Sequence, residues 1–109
     1  MSKRADFELI DDIQEAIRRV EVYTKVMDYE QFLRDTKVQD AVVRNLEIIG
    51  EAVKNLSPDF RRKYKDLDWK RIAGFRDRVI HHYFGVNWDI VWDVVRHKVP
   101  ELKAQLPQK

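Results

Sequence analysis

Cysteine is absent from the 109 residues, so disulfide scaffolds, thiolate zinc sites and cysteine nucleophiles are all excluded. Only three glycines and three prolines punctuate the chain, which leaves long stretches where helical periodicity dominates. No apolar run approaches the roughly 18 residues of a membrane span. The opening MSKRADFELIDD lacks the apolar core of a signal peptide. Serine occurs only at Ser2 and Ser57, neither in a nucleophile elbow, so a Ser–His–Asp hydrolase is poorly served. There is no glycine-rich phosphate loop either. These absences point to one helical domain over residues 1–109, cytoplasmic and without membrane association.

What is present is apolar and charged material in quantity. Hydrophobic residues make up 44% and charged residues 37%, too apolar for disorder and more charged than an average globular chain. The net charge of +2 says little, but its distribution says more. Residues 6 to 16 carry five acids (Asp6, Glu8, Asp11, Asp12, Glu15) and no base. Residues 61 to 78 carry eight bases against three acids, a local +5. That basic stretch suits a polyanionic partner; its plainer reading is a solvated helix face with internal ion pairs.

Apolar spacing of three, four and seven predicts the helices. Ile10, Ile13, Ile17, Val20 and Met27 place one over about 6–27. Asp28 caps a short turn with Phe32 and Leu33. Val38, Val42, Leu46, Ile49, Val53 and Leu56 place a second long helix over about 36–56, with Gly50 inside it at a close crossing. Ser57-Pro58 opens a short basic helix to about Lys65. Another starts at Asp68, carries Trp69, Ile72, Ala73, Val79 and Ile80, and stops before Gly85. Asn87 caps a last helix with Trp88, Val91, Val95, Val99 and Leu102, in which Pro100 should force a kink or break. The fold class is an all-α bundle of four to five helices.

The chemistry concentrates in RDRVIHHY, Arg76 to Tyr83. On an ideal helix Asp77 and His81 lie one turn apart, which lets a carboxylate orient an imidazole. Arg76 is a forked cation suited to phosphate oxygens, and Tyr83 offers a hydroxyl for bonding or modification. If the backbone leaves the helix near Gly85, those angular relations change. Plainer readings stand beside each. Arg76 and Asp77 could be surface charges, His81 and His82 capping or part-buried histidines, and Tyr83 a core aromatic. A metal site of Asp77, His81 and His82 matches no established zinc spacing.

The string R-x4-H-x-Y at Arg76, His81 and Tyr83 resembles the signature of HepT-like proteins of the HEPN superfamily. AVVRNLEIIGEAVKNLSP (Ala41 to Pro58) is similar to that family's second long helix. DWKRIAGFRDRVIHHYFGVNWDIVWDVV (Asp68 to Val95) is similar to its motif helix and the segment after it. The resemblance implies a HEPN-like two-fold homodimer with paired motifs facing across a cleft. It further implies the toxin of a type VII-like HepT/MntA toxin–antitoxin pair, a metal-independent endoribonuclease without a cofactor. Arg76 and His81 would be catalytic, Asp77 supporting, and Lys70, Arg71 and Arg78 RNA-binding. An MntA-like minimal nucleotidyltransferase antitoxin would transfer AMP to Tyr83. The alternative is a noncatalytic nucleotide- or partner-binding module in which Tyr83 is only a modification site.

Overall fold

The computed structural model describes residues 5–75, 80–81 and 85–107, with positions 80 and 81 described as backbone. Helix α1 spans Asp6–Thr24, where an apolar residue returns every three or four positions; Ile13 and Val20 are fully buried. Its start has no side-chain cap on Ala5, but Glu8 reaches back to accept from the Ala5 N–H at 3.2 Å. Helix α3, Thr36–Asn55, presents Val42, Leu46, Ile49 and Val53 on one stripe. α1 and α3 pack along their length, and one continuous core of mainly aliphatic side chains joins them to the C-terminal segments. The all-α reading holds.

Capping residues set the boundaries of the short elements as the sequence predicts. Asp28 accepts from the Gln31 N–H at the start of α2, Tyr29–Arg34. Ser57 accepts from the Phe60 N–H at the start of α4, Pro58–Lys63, with Pro58 in the first turn where its missing donor costs nothing. Asp68 accepts from the Arg71 N–H at the start of α5, Trp69–Ala73. Of the pair expected inside α2, Phe32 is fully buried while Leu33 is 41% exposed. A helix of six residues has only one face to bury.

Gly50 meets α5 as the close crossing required. A side-chain carbon there would lie 3.1 Å from the Ala73 carbonyl oxygen, so the absence of Cβ is what lets α3 and α5 approach.

Two expectations change. The helix starting at Asp68 does not run unbroken toward Gly85, since α5 is capped at Gly74. Residues Ile80–His81 are extended (β1) and pair antiparallel with Gly85–Val86 (β2), with Ile80 opposite Val86 and His81 opposite Gly85. Gly85 does adopt the left-handed conformation, φ 78°, but as part of this pairing and not as a helix cap. Pairing satisfies backbone groups that a helix would otherwise satisfy internally.

The other change is at Pro100. Asn87 caps α6, Trp88–Asp93, as predicted. The chain then continues through a π-helical turn, Val94–Lys98, into α7, Val99–Gln105, without a break. The wide turn is closed by the Val99 N–H donating to the Val94 carbonyl. Proline lacks a donor for the carbonyl four residues back and crowds it; an inserted residue relieves that conflict by widening the preceding turn.

Candidate ribonuclease site

Of the residues singled out by sequence, Arg76, Asp77, Arg78, His82 and Tyr83 lie outside the described residues. His81 is described through its backbone alone. Because that backbone is extended, the one-turn helical spacing between Asp77 and His81 does not apply. The β1–β2 pairing sets His81 opposite Gly85, with residues 82–84 between them.

The approach to the motif is well defined. Lys70 and Arg71 both lie on α5 and are exposed. Phe75, immediately before Arg76, is 2% exposed and belongs to the core. It therefore pins the start of the motif to the bundle. Trp69 anchors α5 on the other side: its indole N–H donates to the carbonyls of Arg61 and Tyr64, each at 3.1 Å. Its ring packs edge-on to Phe60 with centroids 6.1 Å apart.

Sequence reasoning missed a second set of residues. Lys98, Glu101, Leu102 and Gln105 face Asp68, Arg71, Ile72 and Phe75 across one cleft, with Leu67 completing its wall. The signal was legible, since each set recurs at i, i+3, i+4 and i+7, the spacing of one helix face. Arg96, from the π-turn, was also missed. It donates to the carbonyls of Thr24 (3.3 Å) and Met27, closing the end of α1, and stacks on Trp92 at 4.2 Å. No local pattern could reveal a contact spanning 72 residues.

Elsewhere, Glu15 is the one carboxylate with a marked shift among the described residues. Hydrogen bonds from Arg18, then Arg19, hold it down at about 2, and Arg18 is raised in return. This cluster is solvent-exposed on α1 and forms no part of the cleft. Among the described residues no three His, Asp or Glu side chains form a group able to hold a metal ion. No described helix is long and apolar enough to cross a membrane.

An all-α bundle with a basic, core-anchored approach to R-x4-H-x-Y defines the class as HEPN-like. The chain belongs to the ribonuclease HepT-like family, whose model matches residues 13–108. This makes it an RNA-cleaving hydrolase by family. It is 52% identical over 89 residues to a protein of Methanocaldococcus jannaschii named "Putative RNase MJ0127", covering 82% of this chain and 74% of that one. It is 44% identical over 103 residues to "Probable ribonuclease HepT" of Thermococcus cleftensis, covering 94% of each. No solved structure matches the chain.

Proposed function

We propose that the chain is the toxin of a type VII-like HepT/MntA toxin–antitoxin pair, a metal-independent endoribonuclease working as a two-fold homodimer. The observation that carries this reading is the family match over residues 13–108, which contains all three signature positions, Arg76, His81 and Tyr83. RNA supplies its own nucleophile, the 2′-hydroxyl. One His81 takes the proton from that hydroxyl as the oxygen attacks phosphorus. The second subunit's copy of the same histidine gives a proton to the departing 5′-oxygen, leaving a 2′,3′-cyclic phosphate and a 5′-hydroxyl. Arg76 from each subunit balances the charge gathering on the phosphorane oxygens. Asp77 sets the histidine tautomer, and Lys70, Arg71 and Arg78 bind the RNA on either side of the cleaved bond. One subunit carries half of this set, which accounts for an enzyme of such small size.

Control rests on Tyr83 lying two residues beyond His81. An AMP group placed there by the partner nucleotidyltransferase brings an anionic phosphodiester beside Arg76 and repels incoming RNA.

The test is an RNA cleavage assay in EDTA comparing wild type with Arg76→Ala and His81→Ala, with Tyr83→Phe challenged by the nucleotidyltransferase and ATP. Loss of one transition-state contact typically costs about 100- to 1000-fold in rate. Both alanine variants should lose at least that while keeping their helical circular dichroism, and Tyr83→Phe should escape neutralisation. RNA binding without cleavage by wild type would favour the noncatalytic module instead.

A further inference from the structure

The cleft beside the motif is built from two matching helical stripes, Asp68, Arg71, Ile72 and Phe75 on one side and Lys98, Glu101, Leu102 and Gln105 on the other. Its floor is apolar, since Leu67, Ile72, Phe75 and Leu102 are all at least nine-tenths buried. Its rim offers donors, Arg71 and Lys98, and carboxylate acceptors, Asp68 and Glu101. Asp68 already accepts from the Arg71 backbone N–H. By contrast, the side chains of Arg71, Lys98 and Glu101 make no hydrogen bond or ion pair among the described residues. Arg71 and Glu101 are exposed and Lys98 is half-buried, so all three can be reached by a ligand lying over the apolar floor. The cleft holds about 70 Å³ and opens to solvent, so it takes one edge of a planar ring and leaves the rest outside.

The rim charges cancel, so a bare phosphate is a poor match. A flat apolar ligand carrying both donors and acceptors along its edges fits better. Among RNA bases guanine presents the strongest such edge: O6 and N7 accept from Arg or Lys, while N1–H and the 2-amino group donate to a carboxylate. Resting on the ribonuclease reading, we propose that this cleft is a base-specificity pocket for one guanine of the RNA, with Glu101 reading N1–H and the 2-amino group and Arg71 and Lys98 reading O6 and N7. Phe75 links pocket to motif, because it lines the floor and directly precedes Arg76. The π-turn contributes as well. It ends at Lys98, and its extra residue resets the phase of α7 so that Lys98, Glu101 and Leu102 share the face toward α5.

The experiment has two arms. In the first, guanosine, adenosine, cytidine and uridine 5′-monophosphates are titrated separately into the His81→Ala protein and followed by amide NMR. Guanosine monophosphate should shift Arg71, Lys98 and Glu101 most, and Glu101→Ala should remove that preference. In the second, cleavage of oligoribonucleotides differing at a single base is measured. Replacing Glu101 by Ala should lower the guanine-over-adenine ratio of kcat/KM by about 10- to 100-fold, the usual range for losing a paired base contact. Substituting inosine, which lacks the 2-amino group, should reproduce part of that loss in wild type. Equal shifts for all four nucleotides, or a base preference untouched by Glu101→Ala, would overturn the pocket while His81-dependent cleavage stands. Absence of any cleavage by wild type would overturn the ribonuclease reading and this inference with it.

Discussion

Removing the Asp6 carboxylate should loosen the bundle where α1 begins and α3 hands over to α4. Asp6 accepts two hydrogen bonds from Ser57, 2.8 Å from its N–H and 2.6 Å from its hydroxyl, and the site is part-buried. Ser57 Oγ in turn accepts from the Phe60 N–H as the cap of α4, so one hydroxyl joins two helix starts separated by 51 residues. A hydrogen bond to an ionised group contributes about 1.5–3 kcal/mol net. Partial exposure places these two toward the low end, and water recovers some of each when the carboxylate goes. The acid's place in the first turn of α1 adds about 0.3–1 kcal/mol through the helix dipole. Asp6→Ala should therefore cost about 2 kcal/mol, which for a chain of this size lowers Tm by about 10 °C. Asp6→Asn keeps one acceptor oxygen and should fall between. Urea unfolding of Asp6→Ala, Ser57→Ala and the double variant isolates the hydroxyl–carboxylate contact, whose coupling should be about 1 kcal/mol. A loss below about 0.5 kcal/mol for Asp6→Ala, or strict additivity in the double variant, would refute the reasoning.

Two further outcomes are tied to particular contacts. Gly50→Val carries two methyls past a position where even Cβ sits 3.1 Å from a backbone oxygen. It should lose about 2 kcal/mol by overpacking, whereas Gly50→Ala offsets its crowding with a helix-propensity gain of about 1 kcal/mol; equal melting of Gly50→Val and wild type would contradict the crossing. Glu15 is held at about 2, below its ordinary 4.5, so the folded state favours its charged form. The stability this lends is complete above about pH 4.5 and is lost as pH falls toward 2. The small difference between wild type and Glu15→Gln in urea midpoint should shrink over that window and diminish with salt; a difference that grew on acidification would show the sign to be wrong.

Helix existence and helix starts were legible from residue types alone. Asp28, Ser57, Asp68 and Asn87 each cap the helix that their sequence position predicts, because a cap is a bond between residues three apart and needs nothing from the rest of the chain. Gly50 likewise announced a close crossing, though only the fold names α5 as what crosses it. The family signature, too, is a property of the sequence, and the family match spans it. The extended backbone at His81 was decided elsewhere. It depends on pairing with Gly85–Val86, and a pairing partner competes with local helix propensity in a way no spacing rule anticipates. The π-turn is an intermediate case: Pro100 demanded some local relief, and packing of Val94 and Val95 within the turn and of Val99 after it into the core favours a widened turn over a break. Arg96 closing α1 and Lys98 joining Arg71 belong wholly to tertiary structure. Each brings together groups dozens of residues apart, and only the burial of a shared apolar core sets which helix faces meet.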